Sequence, residues 1–419
     1  MIKKFILFLL MASPLFVIAQ DDKTPTFGIK FSGYVKNDFF FDSRKPVNKL
    51  EGAFFLYPEN VKYDKDKADI NDHTSFNILA IQTRLKGDIF GPDAFGAKTS
   101  GVIEAEFTGT MDGNANGFRL RHAYGKLSWE STDLIIGQTW HGMFVEGCFP
   151  EIMGINTGAP YQPFSRNPQI KIIQKLKDFK FQLALMSQRD FISWGGSDGL
   201  RNATLPELNL RVQYQHFNED KTRELFFGAG VDYKMLVPHL VTDSGYATNV
   251  SMNNYAVMAF FKHRSKYITF KMEGTYGQNL YDQVMLGGYA YKYTTDSMTI
   301  ARGDFDYTSL DNVSAWADIS TNGSKLQFGI FGGYTKNLGS RYNIMNYKDG
   351  PSIFSRGWNI DYVYRISPRV VFMSGKVKMG IEGDYSVAGY GTAINSLGDV
   401  ENEKAVTNIR LMYSFFYYF

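Results

Sequence analysis

The last sixteen residues, Lys404 to Phe419 (KAVTNIRLMYSFFYYF), constrain the chain most. Ala405, Ile409, Leu411, Tyr413, Phe415, Tyr417 and Phe419 share one parity, and Lys404, Asn408, Arg410 and Ser414 fall on the other. Side chains of a strand point alternately to its two faces, so this period of two describes a strand with one apolar and one watery side. The aromatics crowd toward the terminus: Tyr413, Phe415, Tyr417 and Phe419 form the pattern of an interfacial girdle, and a terminal Phe suits the closing strand of a transmembrane β-barrel. The alternative is the last strand of a soluble sandwich.

At the other end, Lys3 and Lys4 precede an apolar run from Phe5 to Ile18 and the small Ala19, which reads as a secretory signal peptide over 1–19. The mature chain, 20–419, is expected to begin at Gln20 and to form a single barrel domain. The only cysteine is Cys148, so neither an intrachain disulfide nor a lipid-anchored leader is expected. No second apolar run approaches the ~18 residues of a spanning helix, and mean hydropathy is slightly polar at −0.25. With 35 Phe, 26 Tyr and 40 Gly against 13 Pro, composition favours many alternating strands. The 45 basic and 42 acidic residues nearly cancel, which gives no reason to expect nucleic acid as a partner.

Alternating segments recur throughout, and the connections between them alternate between long and short. Tight joints stand at 91–97, Ser131-Thr132, Asp178, 218–221, HRSK (263–266), TNGS (321–324) and Ser367-Pro368; on the other side stand the compact DGNANG (112–117) and long loops at 43–73, 139–167, 190–204, 237–251, 278–310, 337–355 and 390–403. Strands paired by short turns on one side and long loops on the other, in an even count of about sixteen, give an all-β fold. It is a transmembrane antiparallel barrel with short periplasmic turns and long extracellular loops in the bacterial outer membrane. Closure follows because every backbone polar group in lipid must be satisfied by the protein itself.

Alternation also sorts lipid from lumen. Leu79, Ile81, Thr83 and Leu85 are expected to face out, and Gln82, Arg84 and Lys86 in; Val377, Met379, Ile381, Tyr385 and Val387 out, and Lys376, Lys378, Glu382 and Asp384 in; Asn209, Arg211, Gln213 and Gln215 in. Arg119 and Arg121 are expected to share a face with Ala123 and Gly125, which leaves room for two guanidiniums, while His122 would point outward. With Lys36, Arg84 and Lys171 they make a basic wall opposed by Glu104 and Glu106. Such a field lowers the barrier for anions, whereas pairing of Arg119 and Arg121 with Glu104 and Glu106 would only stiffen the wall. The segment 139–167 is too apolar for a solvated loop, with Trp140, Phe144, Phe149, Ile152, Tyr161 and Phe164, and is a candidate constriction loop.

Four segments, SGYVK (32–36), RLRHAYG (119–125), GQTW (137–140) and RNPQIK (166–171), carry a resemblance to the DcaP-like trimeric outer-membrane porins. The resemblance implies a sixteen-stranded homotrimer that passes small, often anionic solutes such as dicarboxylates, with Arg166 among the basic pore residues. Lys171 stands where that family would suggest Arg, losing the bidentate fork for a carboxylate.

The sequence therefore leads to a passive channel for small hydrophilic anions, with outer-membrane lipid as its surroundings. The rival is a plugged or adhesive barrel acting through its outer loops. The six histidines are scattered, and neither G-x-S-x-G nor H-E-x-x-H occurs, so no enzyme, metal site or cofactor is expected.

Overall fold

The protein is described by a computed structural model that covers residues 27–346 and 352–419; the expected leader lies outside the described residues. Sixteen antiparallel strands close into a barrel. They are β1 (Gly28–Asp42), β2 (in two pieces, Ser75–Leu79 and Arg84–Phe90), β3 (Lys98–Glu106), β4 (Arg119–Ser128), β5 (Thr132–Trp140), β6 (Arg166–Leu176), β7 (Phe179–Met186) and β8 (Glu207–Phe217). The second half comprises β9 (Glu224–Leu236), β10 (Met252–Arg264), β11 (Ile268–Gln278), β12 (Tyr307–Thr321), β13 (Leu326–Ser340), β14 (Ile360–Ser374), β15 (Val377–Tyr390) and β16 (Lys404–Tyr418). Each strand pairs with its sequence neighbours, and β1 pairs with β16 from Tyr34↔Tyr418 to Asp42↔Arg410, leaving no free edge.

The period of two decides what each face meets. On β16, Ile409, Leu411 and Tyr417 are exposed on the outer wall, while Asn408, Arg410, Met412 and Ser414 are buried inside. Leu208, Leu210 and Val212 likewise face out from β8 against buried Asn209 and Arg211, and Ile381 (55% exposed) alternates with Glu382 (1%) on β15. A belt of exposed apolar side chains therefore surrounds a polar interior, the pattern that lipid outside and water inside require. Among the described residues no helix is long and apolar enough to cross a membrane.

Three local departures shift the expected facing. The turn expected at Ser367-Pro368 is absent: β14 runs straight through both residues, and the turn lies at Gly375-Lys376, where Gly375 has φ +54°. Pro368 faces Ile330 on β13, while the β14–β15 ladder skips from Ile366↔Tyr385 to Arg369↔Glu382, so the missing proline N–H falls where no rung is made. In β2, residues 79 to 84 oppose residues 38 to 34 of β1, five steps against four. The extra residue, in a turn closed by the Thr83 N–H to the Ala80 carbonyl (3.1 Å), reverses the parity. Phe76 and Ile78 therefore face out, and Leu79 and Ile81 pack inward, contrary to expectation, while Leu85 faces out as expected. Val387 keeps the outward parity, opposite Tyr364 and exposed Thr407, but is covered there.

The third departure is a bulge in β4. Glu104 pairs with His122 but Ala105 with Leu120, leaving Arg121 without a partner in register. Arg121 and His122 are consequently both buried inward, and Tyr124 lines the lumen in place of Ala123 and Gly125. His122 does not face outward; it packs edge-on against Trp140.

Long connections from the extracellular side turn inward and share one apolar core. The hairpin Pro46–Lys49/Phe54–Pro58 contributes Phe54, Leu56 and Tyr57, segment 141–165 contributes Phe144, Tyr161 and Phe164, and 280–286 contributes Leu280, Met285 and Leu286. Removing these side chains from water stabilises the inward folds by about 1.5–3 kcal/mol for each large apolar group.

Candidate functional site

Segment 141–165 crosses the lumen and is gripped from several walls. At its base, Arg211 donates to the carbonyls of Gly142 (2.8 Å) and Phe144 (3.0 Å), and Trp140 stacks on Phe144 at 3.8 Å between centroids. At its tip, Glu382 of β15 accepts the Met153 N–H (3.0 and 3.1 Å), and Lys36 of β1 donates to the Met153 carbonyl (2.7 Å). Lys36 is fully enclosed, where it also meets Gln82 and pairs with Asp38 (3.1 Å). Glu151 pairs with Lys271 of β11 (2.5 Å), and Tyr161 rests on Phe331 of β13. Thr139, Trp140, Arg166 and Asn167, expected within the loop, belong to β5 and β6.

Register builds the first charge cluster. Arg84 lies opposite Glu106 across the β2–β3 ladder, and the β4 bulge swings Arg121 beside both carboxylates of β3. Arg121 Nε is 2.8 Å from Glu104 Oε1 and its Nη1 is 2.7 Å from Glu106 Oε1; Arg84 Nη2 is 2.9 Å from Glu106 Oε2 and its Nε is 3.5 Å from Glu104 Oε1. Two guanidiniums and two carboxylates make a balanced, mostly buried square. Removing one partner from such a pair strands the other, at a cost of about 3–5 kcal/mol. Arg121 and Arg166 also stand over the Trp140 ring, at 5.7 and 5.0 Å from its centroid.

Arg119 does not join that square. It pairs with Asp190 from the loop after β7, and Arg166 Nε reaches the same carboxylate at 2.7 Å. Burial raises the Asp190 carboxyl, but the two guanidiniums outweigh it and hold the group below the ordinary carboxylate range. Lys171 lies apart on β6, between exposed Ile170 and Ile172, and donates to the Trp140 carbonyl at 3.0 Å.

Lys36, Arg84, Glu104 and Arg121 line a cavity of about 540 Å³ on one side of the inward segment, together with Lys86, Lys378, Glu146 and Glu151. Lys171 lines a second cavity of about 270 Å³. Arg119, Arg166 and Glu106 lie against neither. Sequence periodicity overlooked Asp190, which a loop supplies, and gave Arg211 no special role beyond facing in.

The buried trio of His141, Glu207 and Asp232 offers three atoms at metal-ligand spacing. His141 Nδ1, however, accepts the Met143 N–H (3.1 Å), so the neutral ring carries its proton on Nε2 and donates it to Glu207 (3.2 Å). No lone pair remains at Nε2 for a metal; the trio anchors the base of the inward segment.

With this geometry established, solved structures provide the comparison. The outer membrane channel DcaP of Acinetobacter baumannii superposes with a TM-score of 0.66 at 15% identity, over 94% of this chain and 97% of that one. The fold is that of a DcaP-like outer-membrane porin. OmpT, an outer membrane protein of Vibrio cholerae, is similar with a TM-score of 0.53 at 10% identity, covering 96% of this chain and all of the other, and its trimer form with 0.51 at 11%, covering 94% and 99%. No family model and no curated protein matches the chain. The square of Arg84, Arg121, Glu104 and Glu106 thus sits inside a porin-type barrel, beside a segment that folds in from the loop between β5 and β6.

Proposed function

We propose that the chain is a passive outer-membrane diffusion channel for small hydrophilic solutes with a preference for anions such as dicarboxylates, assembled as a homotrimer. Residues 1–19 direct export and are removed, and segment 141–165 is the constriction. One observation carries the preference: the two cavities flanking the inward segment are lined by nine Lys and Arg side chains against four carboxylates. An excess of positive charge in a narrow aqueous path bordered by low-dielectric walls concentrates anions and repels cations. The trimer form of the structurally similar OmpT supports the assembly. No enzyme chemistry enters this reading.

The second reading, a closed barrel working through its outer loops, is favoured by the apolar core that the hairpin 46–58 and segments 141–165 and 280–286 build inside the lumen. Planar-bilayer recording separates the two. The channel reading expects steps in threes and a reversal potential of anionic sign in a salt gradient. Complete absence of conductance overturns it in favour of the closed barrel.

A further inference from the structure

Most cations inside this barrel are already answered by carboxylates. Arg84 and Arg121 share Glu104 and Glu106, Arg119 and Arg166 share Asp190, and Arg369 pairs with Asp318 (2.8 Å). Lys171 and Arg211 differ. Both are buried, at 5% and 9% exposure, and among the described residues neither forms an ion pair with a carboxylate. They line the same 270 Å³ cavity.

We infer that Lys171, Arg211 and Gln182 form a binding site for a small oxyanion, a carboxylate or a phosphate, in that cavity. Strand pairing assembles it: Gln182 of β7 lies opposite Arg211 of β8, and the small Ala184 lies opposite Lys171 of β6. Lys171 Nζ makes one bond, to the Trp140 carbonyl (3.0 Å), which leaves two N–H groups. Arg211 spends Nη1 on the Gly142 and Phe144 carbonyls and Nη2 on Gln182 Oε1 (3.1 Å), while its Nε has no partner. Because Gln182 Oε1 accepts from Arg211, the other end of the amide is its NH₂, and that too is buried without a partner. Every unpartnered buried side-chain atom lining the cavity is therefore a donor, and a donor pocket around two positive charges that no carboxylate touches favours an anion.

The other charges at the cavity do not meet this need. Asp133 is held by Lys175 (2.8 Å) and Lys126 (3.1 Å), Lys180 donates to Gln215 (3.3 Å), and the nearby carboxyls, Glu146 exposed on the inward segment and Glu273 of β11, act through space without forming an ion pair with Lys171 or Arg211. The inference deepens the channel reading, since it places anion recognition on β6–β8 rather than on Arg119 and Arg121.

The test is equilibrium binding of labelled inorganic phosphate and labelled succinate to the full-length barrel in detergent, at low salt, with folding verified by heat-modifiable migration. Saturable binding of either anion is expected, weakened at least about tenfold in Lys171→Gln and restored in Lys171→Arg. Gln182→Glu, isosteric and opposite Arg211, is the second variant and is expected to abolish binding by supplying the counter-charge. Failure of both anions to bind, or wild-type affinity in the folded variants, overturns the site. Conductance of the same preparation is read separately. A conducting barrel without Lys171-dependent binding loses this site and keeps the channel, whereas Lys171-dependent binding in a silent barrel does the reverse.

Discussion

Arg121 is where facing, charge balance and packing meet. The bulge that frees it from register lets two carboxylates hold it, and the same square leaves little net charge for a passing ion. Replacing it by Ala leaves Glu104 and Glu106 with Arg84 alone, so Arg121→Ala is expected to move the reversal potential toward cations and to destabilise the barrel by about 3–5 kcal/mol, checked by bilayer recording and urea unfolding. Asp190 supplies a pH handle outside the strands. Its carboxyl is depressed in the folded protein, so its contribution to stability is fully present above the unfolded value of about 3.9 and is lost as pH falls through the lower folded value. Melting followed by heat-modifiable migration is therefore expected to weaken below about pH 4 in the wild type. Asp190→Asn is expected to be weaker at neutral pH and to lack that acid limb.

At the scale of elements, the hairpin 46–58 is tied in by Arg365, which donates to the Leu56 carbonyl (2.7 Å), and by Tyr390, whose hydroxyl donates to the Pro58 carbonyl (2.7 Å). Replacing Pro46–Pro58 with a short Gly-Ser link is expected to raise single-channel conductance while the barrel still folds; unchanged conductance would place the limiting aperture elsewhere. Strand number and most facings were legible because lipid and water impose a strict period of two, visible at Leu208 to Gln215 and along β16. What escaped were single-residue insertions. Nothing in RLRHAYG distinguishes a regular strand from one with Arg121 bulged, because the shift arises from pairing with Glu104 and Ala105 on another strand. Likewise, Pro368 reads as a turn until the rung it cannot make proves to be unused. The Arg119–Arg166–Asp190 clamp was illegible because one member comes from an aperiodic loop.

For the whole molecule, the outer belt and the inner wall respond oppositely to the same change. Leu210 faces out at 54% exposed, whereas Gln213 lines a cavity. Leu210→Arg is expected to cost about 2–4 kcal/mol if it lies near the bilayer midplane, and Gln213→Arg far less, as measured by folding into vesicles. The grip on Met153 has a further consequence, which concerns time. Its two anchors are 117 residues upstream and 229 residues downstream, on the first and fifteenth strands. A half-built barrel lacking β15 has only one of them, so the inward segment gains its full grip only when the chain is almost complete. Contacts this distant in sequence form late. Docking of that segment is therefore expected to finish only as the cylinder closes, so limited proteolysis during folding should cut segment 141–165 until β15 is in place and spare it afterwards.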